Sequence, residues 1–130
     1  MPLVRITQQA VRTPEQSRRL ADLVQEVMLE HFAAPPGDRY QILETLPVGA
    51  IIAEDTGLGI DRGEGVVIVQ ITHQGRSAAQ KQAVYAALAE RLGGAGLVRP
   101  EDLVVSVVEN AREDWSFGHG RAQFLTGELT

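Results

Sequence analysis

The amino-acid sequence predicts an α/β fold of the α+β kind: a duplicated β-α-β unit forming a four-stranded mixed sheet, with two helices on one face and a short C-terminal hairpin or arm. Three observations predict it. Short β-branched runs alternate with stretches of helical periodicity, the pattern of β-α-β units. Both helical stretches open on the same capping signal, Thr13-Pro14-Glu15-Gln16 and Ser77-Ala78-Ala79-Gln80. A constant offset of 64 residues pairs Arg12 with Arg76, Gln16 with Gln80, Glu26 with Glu90, Pro36 with Pro100 and Asp38 with Asp102, and a constant offset is what internal duplication leaves behind.

Residues 3–7 alternate and are β-branched, so they read as a strand. Thr13 caps the first helix with Pro14 at its first position, and Leu20, Leu23, Val24, Val27 and Met28 recur at helical spacing. That helix ends near Phe32, before Pro35-Pro36. Residues 40–43 read as a strand and residues 50–53 as a further one. Residues 65–72 are apolar enough for a strand buried on both faces. Val84, Ala87, Leu88 and Leu92 carry the second helix, and Gly93-Gly94-Ala95-Gly96 ends it. Residues 103–108 form the next strand. The tail from residue 115 to 130 holds the single tryptophan and two of the three phenylalanines, and reads as a hairpin or packing arm.

One domain therefore spans residues 1–130, with pseudo-repeats over about residues 2–45 and 65–109. Right-handed crossovers place both helices on one face of the sheet. The other face needs a cover, and in so small a chain the expected cover is another copy of itself.

Composition narrows the chemistry. The chain has 130 residues, 44% hydrophobic and 22% charged, with a net charge of -5, the wrong sign for a nucleic-acid or anionic-membrane binder. No apolar run approaches the roughly 20 residues that span a bilayer, and no secretory signal is visible, so the expected location is cytoplasmic. The absence of cysteine removes thiolate chemistry and cysteine-ligated metals. Three scattered histidines, His31, His73 and His119, do not suggest a metal centre, and no cofactor is expected.

Carboxylates, arginines and one unusual group remain. Removal of Met1 would expose Pro2 as a secondary amine, able to act as base, acid, electrostatic catalyst or nucleophile. Proline in second position by itself signals only methionine removal. Its setting is more specific: Gly37-Asp38-Arg39-Tyr40-Gln41, Glu54-Asp55-Thr56-Gly57-Leu58-Gly59, the segment ending at Arg76-Ser77, Glu109-Asn110 followed by Asp114-Trp115-Ser116-Phe117-Gly118, Gly120-Arg121-Ala122 and Phe124-Leu125-Thr126-Gly127-Glu128-Leu129. With Pro2 heading a strand, this series resembles the malonate semialdehyde decarboxylase family of the tautomerase superfamily over nearly the whole chain.

The resemblance implies a cofactor-independent decarboxylase of a small β-oxo acid, working as a homotrimer. It implies Pro2 as the catalytic amine, Asp38 as its acidic partner, Arg76 as the carboxylate-binding cation, and Trp115, Phe117, Phe124 and Leu129 as an apolar wall. Gln74 and His73 join the substrate-binding set. A carboxylate beside an amine favours the ammonium form, and desolvation strengthens each charge interaction. One departure stands out: Gln74-Gly75 occupies positions where the family pattern has arginine and proline, leaving one guanidinium where two would bind a carboxylate with more charge. His119 likewise stands where a basic arginine is common. The departure motivates an alternative, hydration of acetylenic or halogenated acrylates or keto-enol tautomerisation of arylpyruvates. A trimeric binding or scaffold protein on the same fold is the non-enzyme alternative.

Each of these residues also has an ordinary reading. Arg76 before a capped helix suits a solvated loop cation, Asp38 a turn, and Asp102 a structural role. A lone His73 in a loop is usually incidental, and the Trp115 to Gly118 stretch suits both a core plug and a site wall. Gly57-Leu58-Gly59 with Gly63 lacks the lysine and the following helix of a phosphate loop.

Overall fold

The computed structural model describes residues 2–130; the expected loss of Met1 concerns a residue outside the described ones. Strand β1 (Leu3–Gln9) leads to helix α1 (Pro14–His31) and strand β2 (Tyr40–Leu46); strand β3 (Val67–Gln74), helix α2 (Ala78–Gly94) and strand β4 (Leu103–Asn110) repeat that order. A short helix α3 (Gln123–Thr126) lies in the tail. The strands form one sheet in the order β2-β1-β3-β4. The outer pairs are parallel, as β-α-β crossovers require, and the central pair β1–β3 is antiparallel.

Both helices start for the same local reason. Thr13 and Ser77 each accept a hydrogen bond from the backbone N–H three residues on, while Gln16 and Gln80 reach back to the cap's own N–H. Leu20, Val24, Val27 and Met28 of α1 and Val84, Leu88 and Leu92 of α2 are completely buried against Val67, Val69 and Ile71 of β3 and Val4 and Ile6 of β1. Each such side chain contributes roughly 1.5–3 kcal/mol on leaving water. All of this burial lies on one side of the sheet.

The opposite face carries Leu3, Arg5, Ile42, Gln70 and Thr72 around a shallow depression, and Leu3, Tyr40, Ile42 and Val108 are exposed. Within the single chain, strand β3 is fully buried on one face only, alternating along its length. Both helices lie on the same side, so nothing in this chain covers the other.

Two expectations are corrected, the strand at residues 50–53 and the tail as a plug of the core; of the expected hairpin or arm, the tail is the arm. Residues 50–53 form no strand: the Gly49 and Ile51 N–H groups donate to the Gln9 side chain at 2.7 and 3.1 Å, so an amide takes the place of a ladder partner, and Ile52 is 88% exposed. The tail forms an arm without a hairpin, a 3-10 turn at Arg112–Asp114 followed by α3, which closes on Gly127 at φ 85°. Its aromatic residues are half-buried and lie outside the hydrophobic core, so they do not plug it. Among the described residues no helix is long and apolar enough to cross a membrane.

The cap at Ser77 sits directly after Arg76 and fixes where α2 begins. Replacing it, Ser77→Ala, is expected to cost about 1 kcal/mol, read as a lower urea midpoint with an unchanged m-value.

Candidate active site

One end of the sheet gathers the C-terminal ends of β3 and β4 and the N-terminal ends of β1 and β2. Pro2 is buried there. The β1–β3 register, continued by one step, sets Pro2 opposite His73, and the β1–β2 register sets it beside Arg39, the neighbour of Asp38. Gln74 and Asn110 end β3 and β4 as a pair on the same rim.

Asp38 reaches this rim through the turn after α1, where its N–H donates to the Pro35 carbonyl at 3.1 Å. It is buried, 6% exposed, and burial pushes its carboxyl above the usual aspartate range. Asp38, Tyr40, Phe117, Gln123 and Leu129, with Pro35 to Gly37, line a cleft of about 500 Å³. Phe117 is the hub of its aromatic wall: Trp115 stacks on it at 5.3 Å, Phe124 meets it edge-on at 5.6 Å and Tyr40 lies 5.7 Å away.

Arg76 lies in the turn between β3 and α2, half-buried. Its Nε and Nη2 donate to the Phe32 carbonyl at 3.3 and 2.8 Å, and its Nη1 to the Gln74 and Gly75 carbonyls at 3.0 Å each. Its guanidinium carbon also lies 5.8 Å from the centre of the Phe32 ring. A guanidinium has five N–H groups, so most of this donor capacity is directed at peptide carbonyls. His73 is buried beneath it, 1% exposed, with its ring 4.3 Å from that of Phe32.

The expected residues thus fall into two adjoining groups. Asp38, Phe117 and Leu129 line the cleft, with Trp115 and Phe124 behind Phe117; Arg76, His73 and Gln74 form the β3 side of the rim, outside the cleft lining of the single chain. His119 is exposed at φ 58° in a bend between Gly118 and Gly120. Sequence reasoning missed three residues. Phe32 holds Arg76 by carbonyl and ring, and its only signal was an aromatic at a helix end. Gln123, buried, accepts from the Phe117 N–H at 2.9 Å and donates to the Gly118 carbonyl at 2.8 Å, folding the arm back. Asn110 accepts from the Trp115 indole N–H at 3.0 Å.

At the opposite end of the sheet, the residues offset by 64 show the same arrangement with its polar side chains paired within the chain. Arg12 donates to the Leu97 and Gly65 carbonyls at 2.8 and 2.6 Å and to Gln8 at 3.2 Å. Asp102 accepts from the Gly63 N–H at 2.7 Å and from Arg99 at 3.1 and 3.2 Å. Burial alone would raise the Asp102 carboxyl, but the Arg99 and Gly63 donors outweigh it and hold the carboxyl below the usual range. Asp38 and Asp102, equivalent in sequence, are pushed in opposite directions. Among the described residues no cluster of three histidine or acidic side chains could hold a metal.

A doubled β-α-β sheet with a proline at the head of its first strand, an aspartate and an arginine on the same rim and an aromatic arm beside them defines an enzyme of the tautomerase superfamily. Two profiles described as tautomerase enzyme match residues 38–118 and 2–60, and the probable tautomerase YrdN of Bacillus subtilis strain 168 is 43% identical over 129 residues, 99% of this chain and all of that protein. The chain belongs to the tautomerase family. Among solved structures it is similar to FG41 malonate semialdehyde decarboxylase inhibited by 3-bromopropiolate, at 45% identity and a TM-score of 0.93 over 98% of this chain and 97% of that one. A second malonate semialdehyde decarboxylase, known in wild-type, mutant and inactivated forms, matches at 38% identity and a TM-score of 0.93 over 98% and 99%.

The contrast between the aspartates is measurable. Asp102→Asn is expected to destabilise the fold by about 1–3 kcal/mol at neutral pH. Because the folded-state carboxyl lies below its unfolded value, the stabilisation it supplies is present above the ordinary aspartate value of 3.8 and is lost as pH falls through the lower folded value. Urea melts of parent and variant should therefore converge on acidification.

Proposed function

We propose that this chain is a cofactor-independent decarboxylase of a small β-oxo acid of the malonate semialdehyde type, with Pro2, freed by removal of Met1, as its catalytic amine. The observation that carries the reading is the convergence on one rim of Pro2, a buried Asp38 whose carboxyl is pushed up, and Arg76, beside an aromatic cleft. The similarity to two malonate semialdehyde decarboxylases at 45% and 38% identity supports it.

Arg76 takes the substrate carboxylate and aligns the bond to be broken with the carbonyl group. Protonated Pro2, favoured by Asp38, donates a hydrogen bond to the aldehyde oxygen; the carbon–carbon bond breaks, carbon dioxide leaves, and its electron pair forms an enol or enolate that is reprotonated at carbon. By the other route, neutral Pro2 condenses with the aldehyde, releasing water, and the iminium receives the same electron pair. The resulting enamine is protonated and hydrolysed. Borohydride with substrate separates them, since only the iminium leaves a reduced adduct on Pro2 by mass spectrometry. Phe117 and Leu129, backed by Trp115 and Phe124, give the cleft an apolar wall that strengthens charge interactions beside it.

Gln74 favours a second reading. With an amide where a guanidinium would add charge, Asp38 directs water onto an activated carbon–carbon triple or double bond, giving hydration of acetylenic acids or halogenated acrylates; one of the similar decarboxylases is described as having decarboxylase and hydratase activities. The uncovered sheet face supports assembly through that face as a homotrimer.

Pro2→Ala, with Met1 removal verified by mass, is expected to lower kcat for malonate semialdehyde by at least roughly a hundredfold, and an unchanged rate would defeat the proposal. Arg76→Gln is expected to raise KM more than tenfold, about the loss of one charge-assisted hydrogen bond. Light scattering at micromolar concentration is expected to report three chains per particle.

A further inference from the structure

His73 carries an unspent acceptor. Its Nδ1 lies against the Gln74 carbonyl; a carbonyl only accepts, so Nδ1 bears the proton and Nε2 keeps its lone pair. That Nε2 is buried and has no hydrogen-bond partner among the described residues, an arrangement folded proteins rarely tolerate without a reason. The ring is held by Phe32, at 4.3 Å, and cannot easily swing out to water. Burial, with the nearby Arg76 and Lys81 charges, opposes its protonation and outweighs the Gln74 carbonyl, and Glu109, in register with it on β4, makes no hydrogen bond to Nε2.

The residue 64 positions earlier shows how such an acceptor is normally filled. Gln9 occupies the place on β1 that His73 holds on β3, and its side-chain oxygen accepts the N–H groups of Gly49 and Ile51 while its amide donates to the Glu64 carbonyl. At that end of the sheet the chain runs on and supplies backbone donors. At the other end stands Pro2, opposite His73 in register. Proline joined to a preceding residue has no N–H; as the first residue it has one when neutral and two when protonated. The donor that suits Nε2 is created by maturation.

We infer that His73 positions the catalytic amine, its Nε2 accepting a hydrogen bond from the N–H that Pro2 gains when Met1 is removed. The inference rests on the proposed role of Pro2. It gives that amine a defined orientation: with one N–H fixed on His73, the lone pair of the neutral amine, or the second N–H of the ammonium, is directed away from β3 toward the substrate. Asp38 supplies charge from the facing side, and His73 supplies direction. His73 is in this sense a positioning residue that never touches the reacting carbon.

The test is a titration, independent of turnover. In protein labelled with 15N-proline, the Pro2 amine resonance is followed against pH in the parent, in His73→Leu, which removes the acceptor, and in His73→Gln, which retains one. The midpoint in the leucine variant is expected to fall by roughly one pH unit, a tenfold loss of ammonium above it, with the glutamine variant returning most of the way and the corresponding limb of the kcat/KM profile moving in parallel. A leucine variant whose Pro2 titration overlays the parent's overturns the inference. Should that variant not fold, the parent suffices: the 15N shift of His73 Nε2 is expected to differ between the mature chain and a form with one residue retained before Pro2, and identical shifts overturn the inference equally. An active Pro2→Ala protein would instead refute the decarboxylase reading, so the two failures are distinct.

Discussion

The antiparallel ladder between β1 and β3 is the constraint on which the rest depends. It is the strand-to-strand junction between two parallel β-α-β units, and its direction decides that the beginning of one unit's first strand lies against the end of the other's. Leu3 pairs with Thr72 at one end, and Gln8 with Val67 at the other; the 64-residue offset exchanges these two pairs. A parallel junction would have put both strand beginnings together. The antiparallel one produces two equivalent rims, each combining the head of one strand with the turn that leads into the other unit's helix.

The rims share a plan and differ in what the chain does next. Around Arg12 and Asp102 the chain continues in both directions, and these two side chains are paired with backbone groups, Gln8 and Arg99. That rim is a clasp. Around Arg76 and Asp38 the loop after α1 carries Asp38 into a cleft walled by the C-terminal arm. Opposite shifts of the two carboxyls follow from partners: Arg99 and the Gly63 N–H draw Asp102 down, whereas burial dominates at Asp38. Asymmetry in what surrounds a repeated residue is how one copy keeps a structural task while the other becomes available for chemistry.

Much of the fold was legible because its signals are local. Capping boxes at Thr13 and Ser77, apolar residues at helical spacing and β-branched runs depend only on near neighbours. The second cover of β3 was legible only as a need, because a continuous apolar run reads the same whether that cover is a helix or another chain. Residues 50–53 were misread for a related reason: their N–H groups are taken by Gln9, 40 and more positions away, and no local pattern announces a side chain standing in for a strand. At the candidate site, Asp38, Arg76 and the aromatics were legible through motifs, while Phe32, Gln123 and Asn110 act through a carbonyl, a buried amide and an indole partner whose meaning exists only in three dimensions.

Arg76 is engaged with the Phe32, Gln74 and Gly75 carbonyls. A ligand approaching it does not meet an idle cation; it enters an exchange in which a two-point grip on the guanidinium displaces peptide oxygens already in place. A carboxylate can win that exchange, because a full negative charge outbids a carbonyl dipole and offers two oxygens in the geometry of the fork. A neutral aldehyde or ketone replaces one carbonyl with another and gains nothing. Under the proposed decarboxylation, the turn between β3 and α2 acts as a filter on charge before any chemistry begins, rejecting the decarboxylated product by the same criterion that admits its precursor.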